Sequence, residues 1–380
     1  MSDDAGKPTE AAKPKKASAK TKRKRLFLNQ VVMRRVVYAL LPILGAGIVF
    51  FGWRVLALLV VCLIGGLGTE WIMTSRRGKP ISQACFVTCF LYALSLPPTM
   101  PFWQALVGIV VGILFGKEVF GGFGRNFANP AIVGRAFVYV AFPVAMTASF
   151  VPAFQGFPGG LAEWSMASRG AAPAWLQPVA SRGVDAVTAA TPRRSHKEDG
   201  YLTPLPPLLF GNIGGVYEPE PMDKAVADAP RRQKVLAAGS IGEVCTVLIV
   251  LAGIYLMATR TSNWRLTLSC VLGAAGATVL FRSILGAGGL PPLLFALTAG
   301  SLLYVAVFMV TDPVSAPKEK GSIWIYGALV GALIVVIPWK GQFSGAASFS
   351  ILLANAVGPS LDMAFRAWKQ RGAAPKEATS

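Results

Sequence analysis

Apolar residues along this chain fall in long continuous runs, without the alternation of a half-buried strand or the single stripe of a surface helix. Ten runs approach the roughly 20 residues needed to cross a bilayer as a helix. They lie at 36–53, 55–74, 81–98, 100–119, 131–150, 237–258, 264–284, 290–310, 322–339 and 346–364, and several are short or broken by Gly and Pro. The pattern predicts an all-α integral membrane protein of about ten transmembrane helices. It predicts a tail over 1–30, helices 1–5 over 31–150, one long irregular loop over 151–235, helices 6–10 over 236–365, and a second tail over 366–380. Composition agrees, with 53% hydrophobic and 14% charged residues.

Charge orients the chain. The net charge of +19 owes much to nine Lys and Arg between Lys7 and Arg25, a Lys/Ala/Pro-rich stretch predicted to be disordered. No aromatic residue interrupts that stretch, so nucleic-acid stacking is not indicated; a basic tail ahead of an apolar run holds its side in the cytoplasm or touches anionic lipid. With the N-terminus inside, the short inner loops hold Arg76, Arg77, Lys79, Lys117, Arg125, Arg260, Arg265, Lys318 and Lys320, and the outer ones only Arg54, Arg282 and Lys340. Both termini are therefore expected in the cytoplasm and the 151–235 loop outside. The five cysteines all sit in apolar runs, none in a CxxC pair, and the single His196 cannot build a histidine metal site; buried small side chains explain the thiols.

The chain also resembles itself. Gln104–Gly108 matches Gly327–Gly331, Ala128-Asn129 matches Ala354-Asn355, and Arg135-Ala136-Phe137 matches Met363-Ala364-Phe365. The fourth and fifth runs thus correspond to the ninth and tenth. A shift by an odd number of crossings makes the halves inverted, two five-helix repeats with sites expected where broken helices meet near the midplane.

Three places carry candidate chemistry. Glu70, Glu118, Glu243, Asp312 and Asp362 lie in or at the ends of runs, where a carboxylate is costly and marks an ion path for Na⁺ or H⁺. Glu70, Glu118, Asp312 and Asp362 are the candidates for that path, and Arg135 is a candidate partner for one of the carboxylates. The run Phe115–Pro130 is dense in Gly, aromatics and amides, so Gly121, Gly122, Phe123, Asn126 and Asn129 are candidates to line a flavin or quinone. It has no GxGxxG, and a dinucleotide fold is not indicated. In the outer loop, small residues flank Thr191, and Pro192 disfavours the helical region for the residue before it. The Thr191 hydroxyl is then presented to a modifying enzyme.

Together these residues resemble the B subunit of the Na⁺-translocating NADH:quinone oxidoreductase and its relative, the D subunit of the Rnf electron-transfer complex. The likeness runs from about Arg34 to Phe365. Its most specific parts are Gly116–Gly122 with Asn126–Ala131, then Thr311–Pro317, and Asn355–Asp362. The stretch Asp185-Ala186-Val187-Thr188-Ala189-Ala190-Thr191 resembles the family's flavinylation motif, with Ala189 where the motif has Gly.

The resemblance implies FMN joined by a phosphoester to the Thr191 hydroxyl, with Asp185, Thr188, Ala189 and Ala190 completing the motif read by a separate flavin transferase. It further implies bound riboflavin, a quinone as substrate, Na⁺ as the transported ion, the A, C, D, E and F subunits of the same complex as partners, and a bacterial inner-membrane location. NADH oxidation belongs to another subunit. The basic tail favours the NADH:quinone complex over Rnf. Two rivals remain. A urea-channel-like secondary transporter or channel fits the inverted repeat equally well, and a purely structural membrane subunit leaves the loop motif without a role.

Overall fold

The computed structural model describes residues 26–156, 158–166, 190–218, 234–284, 286, 289–341 and 345–372. Short strand β1 (Phe27–Leu28) leads into α1 (Val31–Phe51) and α2 (Arg54–Arg76). Strand β2 (Ile81–Ser82) pairs in parallel with β1, Phe27 against Ile81. The last residues of the predicted 1–30 tail therefore belong to the fold, because their backbone groups are taken up by the turn after α2; residues 1–25 lie outside the described residues.

Next come α3 (Ala84–Leu94), α4 (Phe102–Ile113), α5 (Pro130–Ala141) and α6 (Pro143–Ala148). The polar lobe holds α7 (Pro192–Asp199), α8 (Leu205–Phe210), β3 (Val216–Tyr217) and β4 (Lys234–Val235). The second half contains α9 (Thr246–Ala258), α10 (Trp264–Val279), α11 (Leu293–Thr298), α12 (Leu302–Tyr304), α13 (Lys320–Lys340) and α14 (Ala346–Gly372).

Among the described residues, five helices are long and apolar enough to cross a membrane: α1, α2, α10 with its continuation to Ile284, α13 and α14. The other apolar runs give shorter or broken helices, for readable reasons. The third ends at Leu94, before Pro97-Pro98 can continue it. The eighth begins behind Pro291-Pro292 and breaks again at Gly300, whose φ of +82° suits glycine. The sixth is irregular until Thr246. The fourth and eighth each contain a π turn, Leu114–Glu118 and Val305–Met309, in which an N–H skips to the carbonyl five residues back. The last helix outruns its apolar stretch and continues to Gly372, through the first residues of the predicted 366–380 tail.

Hydrogen bonds sort the helix ends into two groups. At one end Ile81 N–H donates to the Leu26 carbonyl, Arg35 to the Thr259 carbonyl at 2.8 Å, and Lys318 N–H to Asp362 at 2.9 Å. At the other, Arg54 reaches the Pro98 and Met100 carbonyls, Phe154 N–H donates to the Phe50 carbonyl, and Lys197 reaches the Pro338 and Gly341 carbonyls. The first described residues and the end of α14 thus share one end, and the polar lobe occupies the other.

The lobe is more regular than its sequence suggests. Strands β3 and β4 pair antiparallel, and Ala190 extends the arrangement by exchanging backbone bonds with Val235 and Ala237. Asp199, at the end of α7, accepts from Tyr217 Oη and from Lys234 Nζ, both at 2.6 Å. Tyr217 stacks on Tyr201, and burial, with Asp199 beside it, pushes the Tyr217 phenol far above its ordinary range. These contacts fix the segment that begins at Thr191.

Candidate functional site

The lobe end of the helices is built around the start of α7. Thr191 occupies the position before the first helical turn with φ −67° and ψ 158°, the extended conformation that Pro192 imposes. A threonine there ordinarily accepts a hydrogen bond from the first-turn amides. The Thr191 side chain makes no such bond, and the residue is half-buried, so its Oγ is not committed to the helix. Asp185, Thr188 and Ala189 lie outside the described residues; Ala190 is buried.

The rest of α7 grips the membrane helices. Arg193 donates from Nε to the Ala299 carbonyl at 2.8 Å and from a terminal nitrogen to the Ala296 carbonyl at 3.2 Å. Lys197 holds the Pro338 and Gly341 carbonyls, both at 2.6 Å, where α13 ends. His196 lies against the Phe295 ring at 5.6 Å. Burial, with the Arg282 charge adding to it, pushes the His196 imidazole below its usual value. A cavity of about 50 Å³ lies along this seam, walled by Arg193, His196, Phe295 and Trp339.

The end away from the lobe holds a second cavity, of about 60 Å³. Its wall joins Val32, Met33 and Val36 of α1, Thr88 of α3, Phe123, Asn126 and Asn129 from the glycine-rich run, Thr261 and Ser262 after α9, and Thr311 to Val314 beyond the π turn. Two of the three most specific stretches of the sequence therefore meet on one wall. Asn129 caps α5 through its bond from Ala131 N–H at 3.0 Å. Asp312 accepts from Val314 N–H at 3.1 Å and from Ser315 Oγ at 2.8 Å, a closed turn that aims the carboxylate. Asn126 Oδ1 and Ser262 Oγ are buried without a hydrogen-bond partner. Gly121 and Gly122 are not on this wall. With φ of +109° and +92°, they make the turn that brings Phe123 and Asn126 to it.

The other intramembrane charges separate from the cavity. Lys117 is buried, donating to Glu70 at 2.6 Å and to Ser82 Oγ at 2.6 Å. The Lys117 expected in an inner loop is thus the counter-ion of Glu70. Its place inside an apolar run that extends to residue 119, with an unmatched carboxylate in the second run, is the signal that loop counting overlooks. Glu118 pairs with Arg77 at 3.0 Å, and its other oxygen is buried without a hydrogen-bond partner. Asp362 receives the Lys318 and Glu319 amides and so caps α13. Arg135 pairs with Glu243 at 3.6 Å, both about a tenth exposed, with Ser240 beside it. No group of three metal-ligating side chains occurs among the described residues.

Known proteins share this sequence over most of its length. The B subunit of the Na⁺-translocating NADH-quinone reductase of Pseudomonas aeruginosa is 31% identical over 309 residues, covering 80% of this chain and 64% of that protein. The B subunit of the same description from Haemophilus influenzae is 32% identical over 327 residues, covering 84% and 67%. That of Ectopseudomonas mendocina is 31% identical over 309 residues, covering 80% and 64%. The chain spans just under two thirds of the length of its Pseudomonas relatives. A model of the NQR2, RnfD, RnfE family matches residues 20–370, and the chain belongs to that family.

Proposed function

We propose that the chain is the membrane subunit of an ion-translocating NADH:quinone oxidoreductase, carrying FMN on Thr191 and joining electron flow toward quinone to Na⁺ movement. The observation that carries this reading is an uncommitted Thr191 hydroxyl at one end of the helices and, at the other, a mostly apolar cavity with unpartnered polar atoms on its wall. A flavin bound through its phosphate supplies electron transfer in one-electron steps; the chain's own residues hold and surround it. Arg193 and Lys197 clamp α7 to α11 and α13, so a tethered group stays at a fixed place above the helices.

At the inner end, Asn126 and Ser262 offer a donor and acceptors to a quinone head, and Phe123 and Phe308 offer apolar faces. Riboflavin is the other flat ligand this wall would suit. Asp312, on the cavity wall, and Glu118, with one unpartnered oxygen, are the acidic groups open to a cation, whereas Glu70 is held by Lys117 and Asp362 accepts the amides that lead into α13. The ten-crossing, inverted arrangement is supported by the two sorted sets of helix ends. It is also supported by the matched pair Gly108 and Gly331, where a methyl group would collide with a neighbouring helix, at Tyr92 and at the Cys270 carbonyl respectively. Both termini then lie in the cytoplasm of a bacterial inner membrane, with the A, C, D, E and F subunits and a flavin transferase as partners.

The test is flavin fluorescence of the denatured chain on a gel after coexpression with a flavin transferase. The wild-type band fluoresces and Thr191→Val is dark; a Thr191→Val band as bright as wild type removes Thr191 from the proposal.

A further inference from the structure

We propose that Arg193 is a positioning residue that makes the broken α11–α12 span respond to the redox state of the group on Thr191. The proposal rests on the assignment of flavin to Thr191. Arg193 is two residues beyond that threonine, in the first turn of α7. Its guanidinium holds the Ala296 and Ala299 carbonyls, which lie at the C-terminal end of α11. A helix end leaves its last carbonyls unpaired and favours a cation, so Arg193 completes α11 from outside the helix.

The next residue, Gly300, turns the chain with φ +82°, and the Arg193 stem lies where a side chain would be: a methyl group on Gly300 would come within 3.2 Å of Arg193 Cδ and Nε. Beyond the break the same span runs without another loop to the inner cavity. Tyr304 Oη donates to the Leu91 carbonyl at 3.3 Å, the π turn Val305–Met309 follows, and Val307, Phe308, Thr311 and Asp312 line the cavity. A π turn is a local one-residue departure from the α-helical ladder, often found at functional sites, and in this proposal it is the place where the span gives. An electron delivered from the NADH side without a proton would make a group on Thr191 more negative, and the Arg193 guanidinium, two residues along the chain, would be a cation open to that charge. That charge competes with the two carbonyls for the same donors. Loosened carbonyls at Ala296 and Ala299 free the break, and the span carries the change to Asp312.

Hydrogen–deuterium exchange of the purified, flavin-loaded complex tests this, comparing air-oxidised and dithionite-reduced samples over peptides spanning 296–312. Wild type is expected to show an exchange rate around Ala299–Tyr304 that changes about threefold or more with redox state. Arg193→Gln keeps its covalent flavin on the denaturing gel but loses the difference, and Arg193→Lys, with one point charge in place of a fork, keeps part of it. Gly300→Ala disturbs the same contact from the membrane side, leaves the flavin segment unaltered, and is expected to abolish the difference too; it decides the matter if Arg193→Gln does not assemble. Identical exchange in both redox states of wild type, or a full difference retained in Arg193→Gln or Gly300→Ala, overturns the proposal. A wild-type chain without covalent flavin refutes instead the Thr191 assignment, and the gel shows this before any exchange is measured.

Discussion

Polar groups beside Thr191 and polar groups on the wall of the far cavity differ in how they are partnered. Around Thr191 the cations are engaged: Arg193 binds three backbone carbonyls, at Ala296, Ala299 and Ile334, Lys197 binds two, and Asp199 is shared by Tyr217 and Lys234. Around the cavity at the far end, Asn126 and Ser262 each keep a buried atom without a hydrogen-bond partner. A buried polar group left unpaired costs free energy unless something else satisfies it. On the proposed reading, the lobe end holds a group still and the far end receives one. The same difference appears between buried groups: Lys117 and Glu70 satisfy each other away from the cavity, while Asn126 and Ser262 line it.

The largest effect that would sharpen this contrast comes from breaking the satisfied pair. Lys117→Met leaves Glu70 buried and uncompensated, with an expected loss of about 3–5 kcal/mol. Thermal unfolding of the purified protein in detergent should show it, and Glu70→Gln added to Lys117→Met should recover most of the loss. The exposed pair Arg194–Glu198, by contrast, should contribute about 0.5 kcal/mol or less, so Arg194→Ala leaves the transition in place. Equal effects from the two substitutions would erase the distinction between supporting and surface charge.

The next effect concerns binding. Asn126→Leu keeps the volume of the wall but removes its unpartnered amide, and the KM for quinone should rise about tenfold, the equivalent of one hydrogen bond of about 1.4 kcal/mol. An unchanged KM would move the quinone away from this cavity. The smallest effect is at the outer end. His196 has its folded-state pKa below the unfolded value of about 6.5, so protonation favours release of α7. Docking is fully stable above that value and weakens as pH falls through it. Limited proteolysis of the polar lobe at about pH 7.5 and about pH 5.5, on either side of the unfolded imidazole value, should show faster cleavage at the lower pH. His196→Phe, which keeps the ring against Phe295, should remove most of the difference.

Some of this architecture is plain in the sequence and some is concealed. Apolar length announces a membrane-spanning helix wherever it is uninterrupted, as in α1, α2, α13 and α14. It says little about the eighth run, because Pro291-Pro292 and Gly300 cut it into pieces too short to satisfy their own backbone groups, and the carbonyls at that cut are completed by Arg193, far away in sequence. The glycine-rich run and Thr311-Asp312-Pro313 stand out because Gly, amides and a carboxylate are unusual in such surroundings; that they share one cavity depends on packing and has no local signal. Lys117 is misread because loop counting assigns a lysine at the end of a run to water, and the partner that draws it inward is 47 residues earlier. Asp362 looks like an ion ligand for a related reason. An intramembrane carboxylate and a helix cap are indistinguishable until the amides of Lys318 and Glu319 are seen to point at it.

The contrast between a fixed outer anchor and a receptive inner cavity depends on what Thr191 carries. Mass spectrometry of the proteolytic peptide containing Thr191, from protein made with a flavin transferase, addresses that directly. The expected peptide is heavier by the mass of FMN less one water, with fragmentation placing the addition on Thr191. An unmodified peptide, or flavin located on Thr188, would contradict it.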